Sequence, residues 1–208
     1  MSRLFAALAA LLGGLFAEPG AAADPAPQEA PAKADAHETS GRVGELVPDH
    51  TAKIVRGDGD GTLATRKAGK PTVYLLVAVG CPATKPYAER LVALERAYAA
   101  KGVDFVYVWA SGAETAAAKR KLHKELRFGA FLDDAGGAFA KKLKATRTGE
   151  ALVVDKDGKV VYRGGIDDNL NEPAKVKAKF LANALDELLA GKPITKTTGP
   201  VFGGALAQ

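Results

Sequence analysis

The chain has 208 residues, 47% of them apolar and 25% charged, enough for one ordinary domain and against disorder throughout. Its 29 Lys and Arg against 24 Asp and Glu leave a formal net charge of +5. The densest basic run, Lys119 to Lys124, has no interleaved aromatic residues and reads as a solvated helix face, so nucleic-acid binding is not expected.

The amino terminus carries Arg3, an apolar run from Leu4 to Ala17 and then Ala21-Ala22-Ala23, which predicts a signal peptide over residues 1–23. The run is shorter than the roughly 20 apolar residues of a spanning helix, so no membrane span is expected after cleavage. Export would place the mature chain in a periplasmic or secreted location, where disulfides persist. Cys81 has no second cysteine to pair with in the chain. Residues 24–41, rich in Ala and Pro, predict a flexible tether, and His37 within it is no metal site. A domain over 42–192 and a loosely held tail over 193–208 follow.

Within the domain, Thr51 to Val55 predicts a strand and Arg56 to Gly61 a glycine-rich hairpin turn. The Asp-x-Asp-Gly spacing there lacks the terminal acidic ligand of a calcium loop. Val73 to Val79 is an apolar, β-branched run that reads as a strand buried on both faces. Cys81 lies just past its carboxyl end, where open α/β sheets place their chemistry. Tyr87 to Ala100 predicts a helix with Tyr87, Leu91, Leu94 and Tyr98 on one face, and Pro86 fits only its first turn. Cys81 should therefore precede the helix proper.

Val103 to Trp109 predicts the next buried strand. Ser111-Gly112-Ala113-Glu114 has the form of a capping box and predicts a helix from Gly112 to Leu126. Phe128 to Leu132 reads as a strand and Ala138 to Leu143 as a short helix, an alternation that implies parallel βαβ units. Ala151 to Val154 and Val160 to Arg163 flank Asp155-Lys156-Asp157-Gly158 as a hairpin. Asn171 is a helix cap with Pro173 in the first turn, and a stripe from Val176 to Leu189 predicts a helix ended by Gly191.

The order of apolar strand, Cys-Pro-x-x, Tyr and amphipathic helix resembles the thioredoxin-like superfamily, and within it the redoxin branch of alkyl hydroperoxide reductases and thiol-specific antioxidants. The likeness runs from Val43 to about Pro193 and is carried by VGELVPDH, KPTVYLLVAVGCP and ATRTGEALVVDKDGKVVYRGGIDD. It implies a three-layer α/β/α fold with a central mixed sheet. It also implies a catalytic group of Cys81, Thr84 and Arg147, with Gly80, Pro82, Thr148 and Gly149 lining the substrate site.

Several positions depart from the family pattern. Thr84 stands where Cys-x-x-Cys oxidoreductases carry their second thiol, which leaves monothiol chemistry with an external thiol as reductant. Ala78 replaces the threonine that positions peroxide, Gly149 the characteristic proline, and Gly204 a cysteine seen in a Phe-Gly-Cys context. Two readings stay open: an exported monothiol oxidoreductase for thiol-disulfide exchange or weak peroxide reduction, and a catalytically inactive binding protein using the same cleft for a protein partner. The resemblance implies no cofactor, and a lone cysteine without a matching histidine offers too few ligands for a metal.

Overall fold

The structure, a computed structural model, describes residues 43–56, 59–65, 69–110 and 114–206. The expected signal peptide and tether, His37, Gly57 and Asp58 of the first turn, and Ser111 to Ala113 lie outside the described residues. In chain order the described elements are β1 (Thr51–Arg56), β2 (Gly59–Ala64), β3 (Thr72–Val77), α1 (Thr84–Ala99), β4 (Asp104–Trp109), α2 (Ala116–Leu126), β5 (Ala130–Asp133), α3 (Ala138–Lys142), β6 (Ala151–Val154), β7 (Val160–Gly164) and α4 (Phe180–Leu189).

The strands form one sheet in the order β2-β1-β5-β4-β3-β6-β7. β3, β4 and β5 run parallel, joined by crossovers through α1 and α2, and the outer strands pair antiparallel. Strand alternation splits the apolar runs between two cores. Val73, Leu75, Val77, Phe105, Tyr107 and Trp109 pack with Tyr87, Leu91, Leu122 and Phe180 of α1, α2 and α4. Tyr74, Leu76, Val106 and Val108 pack on the opposite face with Phe139 and Leu143. Burial on both faces is what the unbroken apolar run of β3 required.

Three elements differ from the sequence expectations. α2 starts at Ala116 with Thr115 as its cap, its side chain accepting from the Ala118 amide, so the capping box at Ser111 does not open this helix. Phe128 is not in β5; it stacks on Tyr107 with ring centroids 3.9 Å apart. The expected last helix is broken into a 3₁₀ turn at Pro173–Lys175 and α4, because Asp168 takes the Lys177 amide and residues 167–170 are fastened elsewhere. Arg90 does the fastening: it pairs with Asp167 at 2.5 Å and donates to the carbonyls of Asn169 and Leu170.

The carboxyl-terminal segment is also unlike the loosely held tail expected. It crosses β7 with Arg163 N donating to Thr197 O at 2.9 Å and Gly165 N to Gly199 O at 3.2 Å. It then lies antiparallel to the loop before β6, with Ala205 opposite Arg147 and Leu206 N donating to Thr146 O at 2.9 Å. Glycines make the crossing possible. A Cβ at Gly165 would overlap the Pro200 carbonyl oxygen, and one at Gly203 the Thr148 carbonyl oxygen.

Candidate active site

The backbone leaves β3 at Val77 and wraps into a tight turn before α1. Cys81 N donates to Ala78 O and Thr84 N to Cys81 O, each at 3.3 Å. Thr84 locks this turn from inside: its buried hydroxyl donates to Ala78 O at 3.0 Å. The side chain in the second-thiol position is thus turned toward the end of β3. Gly80 and Pro82 are exposed on either side of Cys81, while Cys81 itself is only 8% exposed.

The sulfur is surrounded by donors. Thr148 Oγ1 donates to Cys81 Sγ at 2.8 Å and the Ala83 amide at 3.3 Å. Burial pushes the thiol's pKa up, but the hydrogen bonds from Thr148, from the Gly204 and Ala83 backbone and from Thr84 outweigh it, so the pKa lies below the ordinary cysteine value. The Ala83 amide belongs to the start of α1, where helix N–H groups lack intrahelical partners. Cys81 precedes the helix, as the position of Pro86 required.

Thr148 is held in turn by the carboxyl-terminal segment. Its amide donates to Gly204 O at 2.9 Å, and Gly204 N donates to Thr148 Oγ1 at 3.0 Å. A chain of hydrogen bonds therefore runs from the Gly204 amide through the Thr148 hydroxyl to Cys81 Sγ. Gly149 lies at φ +77°, a conformation that suits glycine, and a Cβ there would overlap the Phe202 carbonyl oxygen. Its amide donates to Leu76 O at 2.7 Å, tying the loop to β3.

Of the residues expected at the site, Cys81, Thr84, Thr148 and Gly149 come together, with Gly80 and Pro82 on the rim. Arg147 is turned to the carboxyl-terminal segment, donating to Gly203 O at 3.3 Å. Ala78 is buried beneath the turn. Among the described residues, no group of three or more His, Cys, Asp or Glu side chains could hold a metal ion.

One participant was hidden in the sequence. Glu114 Oε1 accepts from Val79 N at 2.7 Å and Gly80 N at 3.2 Å, holding the backbone just before Cys81. In the sequence this glutamate fits a capping box, and the Ser/Thr-x-x-Glu pattern carries no signal that the carboxylate reaches a strand end 34 residues away. In the sequence Gly204 shows only as a departure from the Phe-Gly-Cys context, and Gly203 only as a glycine.

A family model described as Redoxin matches residues 42–179. No curated protein matches the chain. Among solved structures, an uncharacterized conserved protein from Geobacillus kaustophilus is 28% identical, with 80% of this chain and 92% of that one covered and a TM-score of 0.72. A hypothetical protein from Sinorhizobium meliloti is 25% identical, with 80% and 94% covered and a TM-score of 0.70. The thioredoxin domain of a thiol-disulfide oxidoreductase from Bacteroides vulgatus, 18% identical with 60% and 89% covered and a TM-score of 0.51, shares the fold. With its mixed sheet, its helical layers and a cysteine at the carboxyl end of β3, the chain belongs to the Redoxin family and has the thioredoxin-like α/β/α fold.

Proposed function

We propose that this protein is an exported monothiol oxidoreductase acting through Cys81. The observation that carries this reading is the 2.8 Å hydrogen bond from Thr148 to Cys81 Sγ, backed by the Ala83 amide. Donors aimed at sulfur favour the thiolate, which is the nucleophile in thiol-disulfide exchange. In the reaction, the Cys81 thiolate attacks one sulfur of a partner disulfide and expels the other as a thiolate. An external thiol then attacks the mixed disulfide and returns Cys81.

With peroxide, the thiolate would attack one oxygen and release hydroxide, which takes up a proton. The sulfenic acid so formed condenses with one external thiol, losing water, and a second releases Cys81. Thr84 cannot resolve either intermediate, so the reductant is external. Residues 42–192 are the proposed catalytic domain, and the proposed export rests on Arg3, the Leu4 to Ala17 run and the Ala21-Ala22-Ala23 site.

The rate of Cys81 alkylation against pH tests the reading, together with peroxide and disulfide reduction measured against Cys81→Ser. We expect a midpoint below that of a free thiol and turnover that requires both Cys81 and an external thiol. An ordinary midpoint with no turnover above the variant would favour the second reading, a binding protein without catalysis. That reading draws support from the cover over the sulfur, only 8% of Cys81 being exposed.

A further inference from the structure

We propose that residues 197–206 are a built-in gate over Cys81, docked to shield the sulfur from bulky partners and lifted to admit them. The inference rests on the reading of Cys81 as a reactive thiol and adds regulation to it. The segment reaches the sulfur through two layers of contact. Its backbone pairs with residues 146–148, and its Gly204 amide feeds the Thr148 hydroxyl that donates to Cys81 Sγ.

The junction is shaped on both sides for close approach. Where the segment passes β7, a Cβ on Gly164 would overlap Gly199 N, and one on Gly199 would lie 2.8 Å from the Phe180 ring. Where it passes the site, Gly149 faces the Phe202 carbonyl and Gly203 the Thr148 carbonyl. A chance overlay of a tail would not require a glycine at each crossing.

The anchoring is of a kind that lets go. None of residues 197–206 is buried: Val201, Phe202 and Leu206 are half-buried and Ala205 is exposed. Besides the partial packing of Phe202 on one core and Leu206 on the other, what holds the segment is a set of backbone hydrogen bonds, from Arg163, Gly165, Thr148 and Leu206, plus the Arg147 guanidinium on Gly203 O. Segments with few buried apolar contacts open locally while the core stays folded. Opening has two consequences. The sulfur becomes accessible to a protein disulfide, and the Gly204 contribution to its acidity is withdrawn. In the closed state the thiol is most acidic and admits small molecules; in the open state it meets large ones.

The test compares two alkylating reagents of different size, iodoacetamide and a polyethylene-glycol maleimide, on the full chain and on Gly203→Val. The valine Cβ cannot sit against the Thr148 carbonyl, so the segment should undock there. The expected result is a rise of about tenfold or more in the maleimide rate relative to the iodoacetamide rate, with a higher pH midpoint. An unchanged size ratio in a folded Gly203→Val would overturn the gate. Hydrogen exchange on the unaltered chain gives an independent reading should that variant not fold. The Leu206 amide should exchange at least about a hundredfold faster than the Leu76 amide inside β3; exchange at the core's rate would also overturn it. If iodoacetamide reports an ordinary thiol midpoint while the size ratio still changes, the reactive-thiol reading fails and the gate stands.

Discussion

At Cys81 two effects oppose one another: burial favours the neutral thiol, and donated hydrogen bonds favour the thiolate. Thr148 is the nearest donor to the sulfur, so it is where the balance is most easily tipped. Thr148→Val keeps the shape, removes the donor and takes the hydroxyl acceptor from Gly204 N. The expected outcome is a higher pH midpoint for Cys81 alkylation, slower reaction at neutral pH and a loss of about 1 kcal/mol in stability. Thr148→Ser should restore the midpoint. Titration of the alkylation rate, with denaturant unfolding alongside, checks both; a midpoint in Thr148→Val equal to that of the parent chain would remove Thr148 from the mechanism. Thr84, by contrast, holds the turn through its hydroxyl on the Ala78 carbonyl and makes the smallest of the four contributions at the sulfur.

Among the elements, α2 carries a second pH-sensitive group. His123 lies edge-on to Tyr107, Trp109 and Phe128 and stacks on Phe131, with Nε2 2.9 Å from Gly129 O. Burial holds its pKa below the ordinary value of 6.5, partly offset by hydrogen bonds to the backbone of Gly129 and Phe128. The folded pKa is the lower one. The neutral ring's stabilising contribution is therefore complete above pH 6.5 and is lost as pH falls through the folded value. His123→Phe preserves the ring stack and removes the titration. It should cost about 1 kcal/mol at neutral pH through the unpaired Gly129 carbonyl. Its stability should then decline less than the parent's on acidification from about pH 7 to about pH 5, read by thermal unfolding. Parallel declines would mean that His123 is not the group responsible.

The buried Glu150–Arg163 pair links β6's start to β7 at 2.5 Å, and Arg163 also donates to the carbonyls of Leu143 and Lys144. Burial raises the Glu150 carboxyl's pKa, and Arg163 partly counters it. At the scale of the whole molecule, this pair ties β7 to the start of β6 and the chain after α3, Arg90 ties α1 to residues 167–170, and the carboxyl-terminal segment ties β7 to the loop before β6. No described helix is long and apolar enough to cross a membrane. If residues 1–23 are a signal peptide as proposed, chain made in a bacterial host should be recovered with Asp24 as its first residue, by intact mass. Chain purified with Met1 still present would refute the proposed export.

Strand periodicity, the buried run ending at Cys81 and the Asp155 to Gly158 turn were legible in the sequence because they depend on local preference and on which side chains shun water. The thioredoxin-like fold comes from the resemblance of the motifs; from periodicity follow the βαβ alternation and the place of the Cys81 sulfur past a strand's carboxyl end. Tertiary structure alone decided what stands around that atom. Thr148 is 67 residues from Cys81, Glu114 is 34 from Gly80, and Gly204 is 56 from Thr148. No periodicity spans such separations. A glycine in a sequence shows freedom of the backbone but not the neighbour that needs the space, so the Gly203-Gly204 pair reads as slack chain until the Thr148 carbonyl is seen against it.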